Sequence, residues 1–323
     1  YTTLASKLLR VPSQMIKQNM SSYSRGILLV IFAGVCWSIG GIMLRSMETA
    51  TAWQVLFYRA VGMIFMMSII MFVRHRTGIL KIVRAAGLPG FVGALCLTTA
   101  FTTNIFSMLQ TTVANTMLMQ STQTFFAAVL GWLVLRETVP RVSWIAMSVA
   151  LIGVVVMVGE GFESDSLTGN LLALTTGFMV AGYAVALRAG QMSDMLSAAF
   201  LAGIFTLITS GVIATDLVIS NHDLALSLVM GVVQFGVGFT LFTFGARFVP
   251  AAELMLLSLT EVVLAPIWVW LGVGEEASVM TLIGGGIILA SITVLSVFGM
   301  LRNRKHINSL KLKPETTAEL NTS

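Results

Sequence analysis

Two ionisable side chains stand where a membrane-crossing helix would bury them. Glu261 is the middle residue of the apolar run 251–271, with Ser258 and Thr260 beside it and Pro266 five residues on. A charged carboxylate at bilayer mid-depth costs roughly 3 kcal/mol or more, so such a group faces a bundle interior or a wet cavity. There it serves as a proton-coupling group, as a site for a cargo amine, or as a structural hydrogen-bonding partner of a neighbouring Thr or Gln. Pro266 removes a backbone hydrogen bond and predicts a kink, which frees carbonyls to line a cavity. Arg59 lies seven residues into the run 52–73. It either snorkels to the near surface, receives an anionic cargo group, or pairs with Glu261.

Neutral polar residues extend this pattern. Gln120 and Gln123 share a helical face with Thr116, Thr124 and Ala127 by i, i+3, i+4 spacing, and residues 120–124 are polar without interruption. Such amides coordinate cargo or bridge helices, where each bond is worth only about 0.6–2 kcal/mol. Five polar residues in a row exceed what packing needs, so this helix reads as cavity lining. The third apolar run adds Thr99, Thr103, Asn104 and Ser107, and the eighth adds Gln234. Trp37, away from any span end, is either core or an aromatic wall for cargo. Trp53, Trp132, Trp144, Trp268 and Trp270 read as interfacial anchors, as do Arg45, Arg188 and Arg247. Glu253, one turn from a span end, reads as solvated. Glycines 231, 236 and 238, and 284–286, read as close helix contacts.

The elements that must position these groups follow from composition. The 323 residues are 56% hydrophobic and only 10% charged, against roughly 25% charged in an average soluble domain. That excludes an ordinary soluble protein. The net charge of +5 comes from basic residues that flank apolar segments, which points to a lipid bilayer as partner and away from nucleic acid. Cys36 and Cys96 both fall inside apolar runs, so neither a disulfide framework nor a zinc knuckle is expected. The chain begins at Tyr1 rather than Met, and residues 1–25 are basic and polar without an apolar core, so they do not read as a signal peptide.

Ten apolar segments are predicted as helices: 26–44, 52–73, 88–109, 112–135, 142–158, 169–187, 196–218, 224–246, 251–271 and 277–300. The fold class expected is therefore all-α integral membrane. Of the 19 Lys and Arg residues, 17 fall on the side of the N-terminus, Arg45 falls on the other, and Arg59 lies within a span. That asymmetry places both termini in the cytoplasm. Residues 1–25 and 301–323 then form cytoplasmic ends, the latter expected to be disordered, and 159–168 forms an extracytoplasmic linker.

Offset by 143 residues, GILLVIFAGVCWSIGGIMLR (26–45) aligns with GNLLALTTGFMVAGYAVALR (169–188), matching Gly26 to Gly169, Gly34 to Gly177 and Arg45 to Arg188, among others. Offset by 138, Glu137 aligns with Glu275. The chain thus reads as two units, 26–158 and 169–300, of five spans each. An odd number of spans inverts the second unit relative to the first, an arrangement common in secondary transporters. The fourth span is polar in its outer half (Asn115 to Thr124) and the ninth in its inner half (Glu253, Ser258, Thr260, Glu261), so the two polar halves are expected to meet near mid-membrane.

Over about residues 26–300 the chain resembles the EamA family of the drug/metabolite transporter superfamily. The resemblance rests on NTMLMQSTQTFFAAVLGWLVLRETV and IAMSVALIGVVVMV within 115–158, and on ELMLLSLTEVVLAPIWVWLGVGEEAS and LIGGGIILASITV within 253–294. It implies a ten-helix transporter of the bacterial inner membrane with a central cavity, working by alternating access. It also implies a cargo of small metabolites or amphipathic compounds, often moved outward. The chain departs from the family pattern in places. The family often has proline directly after the polar position of these helices, whereas Gln123 and Thr124 have none nearby. Gly153 matches the family's glycine, but its partner position is Ser291.

Several chemistries find no matching pattern. The sequence has no Gly-x4-Gly-Lys-Ser/Thr loop, no nucleophile elbow and no His/Glu spacing suited to a metal. No enzyme activity, cofactor or metal is expected. The reading is a secondary transporter of a small amino-acid-like or amphipathic metabolite, an exporter driven by a proton gradient or by the cargo's own gradient. The alternative is a passive channel or facilitator. The site residues expected are Glu261, Arg59, Gln120, Gln123, Thr124, Asn104, Trp37 and Gln234.

Overall fold

Runs of about twenty apolar residues have no solvent in lipid for their backbone N–H and C=O groups, and only a helix satisfies those groups within one segment. The computed structural model describes residues 13–75, 84, 87–111, 113–158, 167–190, 195–273 and 279–311, and every regular element among them is helical. Among the described residues the longer helices line up as ten rods. In the first unit these are α1 (Ser13–Ser38, resumed at Gly40–Arg45), α2 (Ala52–His75), α3 (Gly87–Gln110), α4 (Val113–Ser121, then Gln123–Leu135) and α5 (Arg141–Val158). In the second they are α6 (Leu167–Ala189), α7 (Leu196–Ile213), α8 (Asn221–Val229, a π-helical stretch Met230–Val237, then Gly238–Gly245), α9 (Ala251–Ser258, then Thr260–Val273) and α10 (Val279–Lys311).

Eight of these rods are long and apolar enough to cross a bilayer, where the sequence predicts ten. The difference lies in α5, which is short, and in α9, which is broken at Leu259 into segments of 8 and 14 residues. Three boundaries also move. α1 begins at Ser13, inside the stretch expected to be a polar end, and α10 continues to Lys311 rather than giving way to disorder after Leu301. α7 stops at Ile213 rather than 218: Ala214 is extended, and the Asp216 carboxylate accepts the Val218 N–H at 2.7 Å, a local turn that competes with the helix. Most of the predicted linker, 159–166, the repeat partner Glu275, and the surroundings of Asn115 lie outside the described residues.

The rods turn apolar side chains outward. Phe32, Phe72 and Val212 are 57%, 68% and 79% exposed, which a soluble protein of this size would not sustain so widely and a lipid-facing surface requires. The core lies mainly between the units rather than within them. α3 packs on α6 and α7, α5 on α10, α2 on α7 and α8, α1 on α8 and α9, and α4 on α6 and α9. Exchanging each rod with the one five places along reproduces the same set of pairs. Two aligned glycines explain part of this. A Cβ on Gly34 of α1 would stand 3.3 Å from the Glu261 nitrogen of α9, and one on Gly177 of α6 would stand 3.2 Å from the Gln120 carbonyl of α4. Each glycine lets a neighbouring backbone approach a broken helix beside its break. In the tenth rod the glycine reading holds only in part. A Cβ on Gly286 would meet nothing within 4 Å.

The breaks themselves have a local cause. In α4, Ser121, Thr122 and Thr124 turn their hydroxyls back onto the carbonyls of Leu118, Met119 and Ser121. In α9, Ser258 and Thr260 do the same to Met255 and Leu257, at 2.7 and 2.8 Å. Such back-bonding bends helices, and the Thr122 and Leu259 N–H groups bond three residues back, in the tighter 3₁₀ manner. The expected kink at Pro266 is thus displaced: the interruption falls at Leu259, and Pro266 lies within the second segment of α9.

Candidate functional site

The two broken helices meet at their interruptions. Gln123 of α4 donates from Nε2 to the Ser258 hydroxyl of α9 at 3.2 Å, joining the units at the centre of the molecule. Beside this junction is a cavity of about 110 Å³, room for several waters, with walls from both units. α4 and α9 contribute Gln120, Gln123, Ser258 and Glu261. α1, α2 and α3 contribute Trp37, Arg59, Phe101 and Asn104, while α6 and α8 add Thr176, Gln234, Phe235 and Phe239.

Seven of the eight predicted site residues are therefore brought to one cavity. Thr124 is not among its lining residues: it is buried and its hydroxyl is bonded to the Ser121 carbonyl at 3.2 Å, because the break at Thr122 rotates the following turn away from the single face expected. Thr116 likewise turns to Ser107 at 2.9 Å. The Thr103 hydroxyl pairs with that of Thr176 at 2.7 Å, so of the four polar residues predicted from the third run, Asn104 is the one that lines the cavity. Sequence reasoning missed the aromatic wall of Phe101, Phe235 and Phe239, since phenylalanine in an apolar run carries no signal of which face it occupies.

Arg59 does not snorkel. It is 4% exposed, and its guanidinium carbon lies 4.0 Å from the centroid of the Phe235 ring and 5.3 Å from that of Phe101. Among the described residues no ion pair joins it to Glu261, and one of its terminal nitrogens has no acceptor. Cation–π contacts are worth about 0.5–2 kcal/mol, less than the roughly 3 kcal/mol or more of placing the charge in the membrane. Three further buried polar atoms of the same lining have no partner among the described residues: Trp37 Nε1, Gln120 Nε2 and Gln234 Oε1. Gln234 is held by the other end of its amide, which donates to the Trp37 carbonyl at 2.9 Å where α1 is interrupted. Trp37 itself stacks at a tilt on Phe239, 4.8 Å between centroids, and so forms both core and cavity wall. Buried polar groups are ordinarily paired. Here the orphans gather around one space.

Both ends of the bundle are tied across the unit boundary. At the basic face, where α1 enters, Arg188 of α6 donates from Nε to Glu137 at the end of α4, at 2.9 Å, and from its terminal nitrogen to the Ala246 carbonyl at 3.1 Å. The Ala251 N–H completes the junction on the other Glu137 oxygen at 3.3 Å. Arg188, expected as an interface anchor, is thus an internal tie. Glu253, expected to be solvated, is 4% exposed and accepts from the Tyr23 hydroxyl of α1 at 2.7 Å. At the opposite face Asp223 is fully buried and accepts the N–H groups of Glu48, Thr49 and Ala50, each at 3.0 Å. Trp268 also departs from its anchor role, donating to the Ser38 hydroxyl at 2.7 Å inside the bundle. Trp132 and Trp270 remain on the outer surface.

A larger groove of about 360 Å³ runs between α3, α4 and α6, lined by Leu88, Val92, Leu130, Phe178 and Val185 among others. Its described lining residues offer no charged or amide group to orient a cargo, so the smaller central cavity is the candidate site.

Comparison with known proteins agrees with this architecture. A model of the EamA-like transporter family matches residues 24–159 and again 167–297. One solved crystal structure superimposes with a TM-score of 0.75 at 15% identity, covering 86% of this chain and 99% of its own, which establishes likeness of fold. No curated protein matches the sequence.

Proposed function

Because the chain belongs to the EamA-like transporter family, a family of multi-pass membrane proteins, we propose that it is a secondary transporter that moves a small organic metabolite by alternating access. The observation that carries this reading is the central cavity, walled by both units and holding polar groups that have no partner among the described residues. On this reading α5 and α9 also cross the bilayer, giving ten spans in two units of five, 26–158 and 169–300. The second unit is inverted relative to the first. In support, Gly26 packs on Val249 at the basic face, whereas its counterpart Gly169 packs on Gln110 at the opposite face.

The basic face is the cytoplasmic one, and both termini lie there, in the bacterial inner membrane. The ties Arg188–Glu137 and Tyr23–Glu253 close that side, and Leu254, Leu256 and Leu257, which follow Glu253 in α9 before the cavity residue Ser258, are buried. Opening toward the cytoplasm breaks those ties and lets the units rock about the Gln123–Ser258 junction. Glu261, lining the cavity without an ion-pair partner among the described residues, is the group that carries the coupling proton.

Counterflow tests the proposal. Proteoliposomes loaded with one of a panel of unlabelled metabolites should transiently accumulate the labelled compound above equilibrium, with saturable kinetics. Flux that neither saturates nor responds to unlabelled compound on the far side would identify a channel instead.

A further inference from the structure

Arg59 is a buried guanidinium without a carboxylate partner among the described residues, and that imbalance specifies what the cavity receives. Its guanidinium carbon lies over the Phe235 ring, 4.0 Å from the centroid, and its free capacity lies at the terminal nitrogen that has no acceptor among the described residues. Two more unpartnered atoms of the lining, Trp37 Nε1 and Gln120 Nε2, are also donors. The Asn104 amide brings a donor and an acceptor alike, and against the three donors stand two further acceptors, Gln234 Oε1 and the Glu261 carboxyl. Neither is within bonding reach of Arg59.

A cargo that satisfied the donors would bring several lone pairs and a negative charge at one end. The rest of its body would meet Phe101, Phe235 and Phe239, which are apolar and close-packed. We propose that the cargo is an organic anion whose oxyanion end is seated on the edge of Arg59, with Trp37 and Gln120 as auxiliary donors and its apolar body on the phenylalanine wall. This rests on the transporter reading for its biological meaning, though binding itself is independent of transport. Carboxylates and phosphates present the same paired oxygens to a guanidinium, so both belong to the class.

The test is binding to the purified protein in lipid nanodiscs, read by thermal stabilisation over a concentration series of four probes that share the phenylethyl body: 3-phenylpropionate, 2-phenylethyl phosphate, 3-phenylpropionamide and 2-phenylethylamine. Apolar content is similar in all four and charge differs. The unmodified protein should bind at least one of the two anions about tenfold or more tightly than the neutral amide, and the amine most weakly. Which anion wins assigns the carboxylate or the phosphate. Arg59→Gln should bring the anions within about twofold of the amide, while Arg59→Lys keeps most of the preference as a point charge. The amide or the amine binding as tightly as both anions in the unmodified protein overturns the proposal, and that comparison needs no variant to fold. Stabilisation by chloride alone to the same extent as by the organic anions also overturns it. Binding as described together with absent counterflow would refute the transporter reading while leaving the anion site standing.

Discussion

Arg188 Nε lies 2.9 Å from Glu137 Oε1, and this contact joins the end of the first unit's fourth helix to the end of the second unit's first helix. Both side chains are about one-fifth exposed, at 17% and 22%, so water screens the pair only in part. The same guanidinium reaches the Ala246 carbonyl, and the same carboxylate reaches the Ala251 N–H. Four segments are therefore fastened at one point on the basic face.

Glu137→Gln removes the charge while keeping the shape, and Arg188 is left without its counter-ion. A pair this exposed lies between surface and buried values, so the expected loss is about 1–3 kcal/mol. A thermal denaturation midpoint lowered by several degrees in detergent checks it. A midpoint within one degree of the unmodified protein would mean that the tie contributes little.

Close helix approach at Gly231 should be intolerant of any side chain. A Cβ there would collide with the Arg59 carbonyl and lie 2.9 Å from the Gly62 Cα, backbone atoms that can move only if α2 and α8 separate. Gly231→Ala should cost about 1–3 kcal/mol or more as overpacking, whereas Gly286→Ala, with nothing within 4 Å, should be neutral or slightly stabilising through helix propensity. Comparing the two midpoints separates helix contact from general sensitivity of the fold.

Asp223 organises the turn between α1 and α2. Its carboxylate takes three consecutive backbone N–H groups and the Thr49 hydroxyl, and Ser220 caps its own helix by accepting the Asp223 N–H. Asp223→Asn replaces one acceptor oxygen by a donor, so those donors cannot all be satisfied. Amide exchange at Thr49 and Ala50 should accelerate by at least about tenfold, with little change in α5 and α10, which pack elsewhere. Unchanged exchange at both amides would contradict the clamp.

Glu261→Gln preserves the hydrogen-bonding outline of the cavity and removes the ionisable proton. The folded protein should be obtained in normal yield, and uptake into proteoliposomes should lose its dependence on an imposed pH gradient. Uptake that keeps its pH dependence in the variant would assign proton coupling to another group.

Much of this was legible in the sequence where the signal is an exception to an otherwise apolar chain. Arg59, Glu261, Gln120 and Gln123 stand out because charge and amide groups are costly in a bilayer, and the structure gathers them at one cavity. Gly34 and Gly177, found as a repeat match, have a physical reason in their approach to the broken helices. What escaped were features set by tertiary contact. Serine and threonine back-bonding, rather than Pro266, places the break in α9, and nothing local distinguishes a Ser that bends a helix from one that lines a pore. Arg188 and Glu253 resembled ordinary terminal charges, because their partners, Glu137 and Tyr23, lie 51 and 230 residues away. The aromatic wall was invisible for the opposite reason, its residues being unexceptional in composition.

The central claim is that one cavity between two units is reached from each side of the membrane in turn. Accessibility of a cysteine at position 120, in a protein with Cys36 and Cys96 replaced by alanine, tests it most directly. In the unmodified Arg188–Glu137 background a membrane-impermeant maleimide should modify that cysteine from the outer face. Adding Glu137→Gln should shift modification toward the cytoplasmic face. Equal reactivity from both faces in both proteins, or none from either, would contradict it.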